Sequence, residues 1–168
     1  MNINDNINKI NENLLIINKM NTYNKNLTYY DKYNIDIVIR VTADMPYASW
    51  EIVEFLLDKH FECGADYTAS VQFSVGTSVE ILNASALMEV KKHFPNADYS
   101  EYMTWYFQNN KQHFKVNLVD LPSKYVRDYR LTVDYQEDLD MMNLLQKHLD
   151  ENNLSGNLDE VFKFLDEN

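Results

Sequence analysis

Two short runs carry the residue types of phosphate chemistry: Arg40, Val41, Thr42, Ala43 and Asp44, and again Arg130, Leu131, Thr132, Val133 and Asp134. In each, an arginine, a threonine and an aspartate recur at a spacing of two, which puts all three on one face of an extended chain. Carboxylates are hard oxygen donors. If Asp44 and Asp134 are brought together they could hold Mg²⁺ against substrate phosphates, since that ion takes one or two carboxylates and keeps several waters. The alternative is equally physical: a five-residue pattern recurs by chance at strand ends, and each aspartate caps the helix that follows. The arginines then serve in ion pairs with Asp44, Asp134 or Asp128.

The elements that must position these residues follow from periodicity. Residues 35 to 41 form a β-branched run that reads as a buried strand ending at the loop 42 to 46. Ser49 is placed to cap a helix over residues 50 to 62, which Gly64 stops. Strands are expected at 66 to 71, 77 to 82, 114 to 121 and 129 to 133. Helices are expected after an Asn83 cap to about residue 94, and at 101 to 109, 136 to 150 and 158 to 165. Strands alternating with helices imply an α/β fold with a mostly parallel sheet flanked by helices, and in such sheets ligands bind beyond the carboxyl ends of the strands. Both aspartates would sit there.

Residues 1 to 29 differ in texture. They are rich in asparagine, yet Ile3, Ile7, Ile10, Leu14 and Ile17 recur at helical spacing, so an amphipathic leader helix is expected, followed by the main domain from 30 to 168. A frayed low-complexity leader is the competing reading.

Composition narrows the function. With 15 Lys plus Arg against 26 Asp plus Glu, the net charge of -11 repels nucleic-acid backbones and anionic lipid surfaces, so neither is an expected partner. The single cysteine, Cys63, cannot form an internal disulfide, which suits a reducing compartment. No apolar stretch approaches the roughly 20 residues that span a bilayer, and no signal peptide is evident, so a cytoplasmic location is expected. His60 and Cys63 share a helix face but lack a second ligand pair, so a surface histidine and a buried cysteine are expected rather than zinc. His93, His113 and His148 have no nucleophile in a recognisable setting and are read as solvated. The stripe Tyr102, Trp105, Tyr106 fits a core face better than a sugar platform. The acidic run 136 to 140 complements a helix dipole.

Five blocks in order, RVTADMP (40 to 46), GADYTAS (64 to 70), GTSVEIL (76 to 82), EYMTWYFQNN (101 to 110) and RDYRLTVDYQEDL (127 to 139), resemble the later half of cytidylyltransferases that activate acidic sugars. The resemblance is to the spore-coat polysaccharide type, relatives of acylneuraminate cytidylyltransferase. It implies a Rossmann-like nucleotidyltransferase fold in which a sugar oxygen attacks the α-phosphate of CTP and pyrophosphate leaves. It also implies Asp44 and Asp134 as catalytic Mg²⁺ carboxylates, and Arg40, Arg130, Glu80 and Thr42 as substrate contacts. Ser78 stands where the family usually has an acidic residue, leaving Glu80 as the nearest carboxylate.

Such enzymes open with a glycine- and arginine-containing loop, roughly G-S-x-R-L-P-G-K, that grips the nucleotide phosphates. Before Arg40 this chain has no glycine and no arginine. The resemblance therefore implies a truncated domain that is inactive alone, with CTP and an acidic sugar as substrates: either a component that works with a second chain supplying the loop, or a fragment of such an enzyme. A homo-oligomer is a separate expectation. The other functional class is a non-catalytic binding or interaction module on the same fold.

Overall fold

Five strands form one sheet in the order β1-β2-β4-β3-β5. They are β1 Leu14–Asn18, β2 Ile37–Val41, β3 Tyr67–Ser70, β4 Glu80–Asn83 and β5 Val116–Val119. The computed structural model describes the backbone of residues 14–18 and, in full, residues 35–95, 97 and 103–168. β1 pairs with β2 and β3 with β5 in parallel, whereas β4 lies antiparallel to both of its neighbours. Four strands thus run one way and one runs back, a mixed sheet rather than a wholly parallel one. The helices are α1 Trp50–Cys63, α2 Ala84–His93, α3 Trp105–Gln108, α4 Gln136–Glu151 and α5 Leu158–Glu167.

Both faces of the sheet are covered, which explains why β2 is nearly all apolar. Ile37, Ile39 and Ile81 point to one face and pack with Ile52 and Leu56 of α1, Leu145 and Leu149 of α4, and Val161 of α5. Val38, Tyr67 and Leu82 point to the other, against Leu87 and Val90 of α2 and Phe107 of α3. Alternation along β2 then sends Arg40 to this second face, at the carboxyl end of the strand. Ser49 caps α1 by accepting from the Ile52 N–H at 3.3 Å, and Gly64 ends it at φ 59°.

Three expectations need correction. The leader helix is replaced at Leu14–Asn18 by a strand paired with β2. The contiguous run Leu14, Leu15, Ile16, Ile17 suits a strand, and the helical spacing had skipped half of it; residues 1–13 and 19–34 lie outside the described ones. The strand expected at 129 to 133 is an extended segment held by one isolated bridge, Val75 to Arg130. His60, expected at the surface, is 1% exposed, while Cys63 is only half-buried.

His60 belongs to a buried polar network tying α1 to the sheet. The Asn83 amide donates to the Ala65 carbonyl at 2.6 Å, so its Oδ1 faces His60 Nε2 at 3.1 Å as an acceptor. Nε2 therefore carries the hydrogen, and Nδ1 accepts from the Thr68 hydroxyl at 2.9 Å. Desolvation holds the His60 pKa below its usual value. The unfolded chain therefore takes up this proton first as pH falls, and stability is lost from about pH 6.5 down to the folded pKa, with no further loss from this group below it. Urea unfolding at pH 7.5 and 5.5 should show that loss in the wild type and a smaller one in His60→Gln.

The loop 71–79 joins the two halves of the fold. Val75 donates to Tyr129 O at 3.0 Å and accepts from Leu131 N at 2.7 Å, while Thr77 O accepts from Ser49 N at 2.8 Å. Gly76, at φ 89°, lies so close to the Leu131 carbonyl and Thr132 nitrogen that a Cβ would collide with backbone. Gly64 has open space around the same position. Gly76→Ala should therefore cost at least about 2 kcal/mol in denaturant unfolding, from strain and collision together, against about 1 kcal/mol for Gly64→Ala, from strain alone.

Candidate functional site

The carboxyl edge of the parallel strands gathers both Arg-x-Thr-x-Asp runs. After β2 the chain turns at once, with Met45 N donating to Thr42 O at 3.2 Å, and this turn carries Asp44. The Asp44 carbonyl accepts from Val133 N at 2.8 Å, so the first run is joined by backbone to the second, one residue from Asp134. Asp44 Oδ1 is buried and has no hydrogen-bond partner. A desolvated carboxylate oxygen without a donor is costly, and structures keep few of them unless an ion, a water or a ligand group completes the site.

Asp134 stands in a different environment. Its Oδ2 accepts from the Arg130 guanidinium and, at 2.9 Å, from the Thr132 hydroxyl. These bonds, Arg130 first, hold its pKa below the usual carboxylate value and raise that of Arg130. Asp138 sits beside it, its Oδ2 accepting from the backbone N–H groups of Asp134 and Tyr135 at 2.9 Å each. Those two donors depress the Asp138 pKa. Asp138 thus fixes the start of α4 and, 3.4 Å from Arg130, shares its charge. The run 136 to 140 had suggested only a dipole effect; the backbone bonds of Asp138 depend on the turn at 134–135, which composition does not reveal.

The two runs are alike in sequence and unlike in geometry. Arg40 lies in a ladder, directly across from Glu80 in the β2–β4 register, and its Nη1 meets Glu80 Oε2 at 2.5 Å. Glu80 Oε1 accepts from the Tyr67 hydroxyl at 2.5 Å, and the Tyr67 hydroxyl oxygen in turn accepts from Gln108 Nε2 at 2.8 Å. Arg130 has no such cross-strand carboxylate and turns to Asp134 and Asp138, on its own chain segment. Arg40 with Glu80, and Arg130 with Thr132 and Asp134, are therefore two separate clusters at one edge. Thr42 contributes its carbonyl to the turn that bears Asp44.

Sequence reasoning missed Tyr67 and Gln108. The only signal was that the blocks containing them, GADYTAS and EYMTWYFQNN, lay beside those carrying the charges. In the second block Tyr106 is core, while Trp105 is half exposed. His93 and His113, read as solvated, stack on each other with ring centroids 4.2 Å apart. Among the described residues no group of three or more His, Cys, Asp or Glu is arranged to hold a metal. The donors at the edge instead suit an ion held by one or two carboxylates and a ligand's own phosphates.

The sheet order, with both Arg-x-Thr-x-Asp runs at one edge, matches a nucleotidyltransferase-like fold. A cytidylyltransferase from Leptospira borgpetersenii superposes with a TM-score of 0.73 at 22% identity, over 88% of this chain and 63% of that one. The 4-diphosphocytidyl-2C-methyl-D-erythritol synthase of Anaerococcus prevotii shares the fold at a TM-score of 0.51 and 12% identity, over 72% of this chain and 63% of that one. The cytidylyltransferase family profile matches residues 16–163, and the chain belongs to that family. It is 30% identical over 111 residues to the spore coat polysaccharide biosynthesis protein SpsF of Bacillus subtilis, covering 65% of this chain and 46% of that one. It is 32% identical over 141 residues to an uncharacterized protein of Methanocaldococcus jannaschii, covering 81% of this chain and 56% of that one. The chain spans about half the length of these curated relatives. Among the described residues no helix is long and apolar enough to cross a membrane.

The asymmetry between the carboxylates gives a direct test. Because the folded pKa of Asp134 is depressed, its contribution to stability is present above the unfolded value and is lost as pH falls through the folded one. In an NMR titration of the side-chain carboxyls, Arg130→Gln should move the Asp134 midpoint upward toward the ordinary range. Asp138 should move less, since backbone donors are its main cause.

Proposed function

We propose that the chain binds CTP with Mg²⁺ at the carboxyl edge of its sheet and takes part in forming a CMP-sugar from an acidic sugar, for surface polysaccharide. The observation that carries this is Asp44: a buried carboxylate oxygen without a donor, tied by backbone to the segment bearing Asp134. Asp44 would be the principal ligand of the ion and Asp134 the second, directly or through a water. Bound there, Mg²⁺ supplies charge neutralisation of the phosphate oxygens in an in-line displacement. Arg130 orients the Asp134 carboxylate and adds positive charge to the same edge. Arg40 faces ligand from the other cluster, and Glu80 fixes its plane. Thr42 shapes the turn that presents Asp44.

The family's phosphate-gripping loop has no counterpart before Arg40. In our reading a second chain of different sequence supplies that loop in the cytoplasm, and the isolated chain is inactive. Positioning accounts for about 7 to 11 kcal/mol of the barrier in well-oriented reactions, so two carboxylates and a metal ion leave most of the rate unprovided.

A second reading, a non-catalytic binding module, is favoured by a specific feature. Asp134 and Glu80 are already satisfied by partners within the chain, as structural carboxylates are. A thermal-shift titration separates the two. At 100 times the dissociation constant, CTP with Mg²⁺ should stabilise the full chain by about 2.7 kcal/mol. Asp44→Asn should abolish that shift and leave the ligand-free protein as stable or more so, because the orphaned charge is gone. A folded wild type that CTP with Mg²⁺ does not stabilise, even when a chain carrying the phosphate loop is added, selects the binding module. Pyrophosphate release by the purified chain, lost in Asp44→Ala, would remove the need for a second chain.

A further inference from the structure

We infer that Tyr67 and Gln108 are positioning residues that act through Glu80 to fix the direction of the Arg40 guanidinium at the carboxyl edge of the sheet; as a functional statement this rests on the nucleotide reading above. The chain of bonds runs from α3 across β3 and β4 to β2: Gln108 Nε2 to the Tyr67 hydroxyl at 2.8 Å, that hydroxyl to Glu80 Oε1 at 2.5 Å, and Arg40 Nη1 to Glu80 Oε2 at 2.5 Å. Each carboxylate oxygen of Glu80 thus has a strong donor, which suits the group to orienting an arginine better than to ligating a metal or a sugar. Arg40 and Glu80 are each about a fifth to a quarter exposed, 24% and 19%, so the pair borders solvent without being in it.

Tyr67 is the member whose design is most telling. It is fully buried, and its ring stacks on Phe107 with centroids 5.6 Å apart and planes 10° from parallel. Burial first, and then the Glu80 charge, push its pKa well above the ordinary phenol value, so it remains a neutral donor. A buried, stacked ring has little freedom, so its hydroxyl is a rigid point of attachment. A guanidinium presents five N–H groups in one plane, and holding one edge therefore sets the direction of the rest. For an anionic ligand this pre-organisation lowers the ordering cost of binding. Ala69 pairs with Glu80 in the β3–β4 register and Arg40 pairs with Glu80 in the β2–β4 register, so three strands share the load of holding it.

The chain has three arginines, Arg40, Arg127 and Arg130, so the arginine side-chain region of a ¹H–¹⁵N spectrum of the full protein can be assigned by single substitutions. Tyr67→Phe keeps the ring and removes the hydroxyl. The expected result is that guanidinium proton exchange of Arg40 quickens at least tenfold while Arg130 is unchanged, and Gln108→Ala should produce a smaller change of the same sign. Calorimetric titration with CTP and Mg²⁺ should then show binding weakened threefold to tenfold in Tyr67→Phe. Unaltered Arg40 exchange in both variants would overturn the inference, and so would altered exchange with unaltered affinity, which would make the bonds purely structural. If the wild type itself does not bind CTP while Arg40 exchange responds as expected, the relay stands and the nucleotide reading falls.

Discussion

The close approach of Gly76 to the Leu131 backbone is the contact on which the rest of the architecture depends. Only a residue without a Cβ lets the loop after β3 lie against the extended segment 129–133. That contact, with the Val75 bridge, brings in the segment whose Leu131 completes the first core and whose Val133 reaches the Asp44 carbonyl. α4 starts immediately afterwards, and its Leu145 and Leu149 close the same core. Packing and site assembly are therefore a single event in this fold. The turn bearing Asp44 and the segment leading to Asp134 meet because a loop was allowed to pack.

The edge assembled in this way is electrostatically divided. One cluster, Arg130 with Asp134 and Asp138, is local in sequence, and its Arg130–Asp134 pair is exposed, so that pair is screened by water and salt. The other, Arg40 with Glu80, is partly sheltered and spans two strands. In a chain of net charge -11, two of the three arginines stand at this edge, each already paired to carboxylates of the chain itself. Asp44 belongs to neither arrangement: the residue is half-buried, and its buried Oδ1 has no hydrogen-bond partner.

Much of this was legible in the sequence because it was periodic or local. The β-branched run of β2, the Ser49 cap and the Gly64 stop of α1, and the apolar stripe of α4 each carry their own signal within a few residues. The candidate residues were legible as types at a repeated spacing. Their partners were not, because pairing is set by register: nothing within residues 40–44 says that Arg40 will face Glu80 rather than Asp44. His60 was misplaced for the same reason, since Thr68 and Asn83, which satisfy it, lie on two different strands. At Leu14–Asn18 two periodicities overlapped, and pairing with β2 decided between them.

The reversed strand β4 also shapes the route by which the chain acquires its structure. β3 and β4 form the only strand pair among the described residues that is nearly contiguous in sequence, closed by the loop 71–79. β2 must find β4 across α1, and β5 must find β3 across α2 and α3, as with Tyr67 and Val116. Loop-closure entropy favours the hairpin forming first, so the β3–β4 unit is the natural nucleus onto which the flanking strands condense. Gly76 sits at that hairpin's bend, and a fault there would slow the chain's folding as well as weaken its folded state.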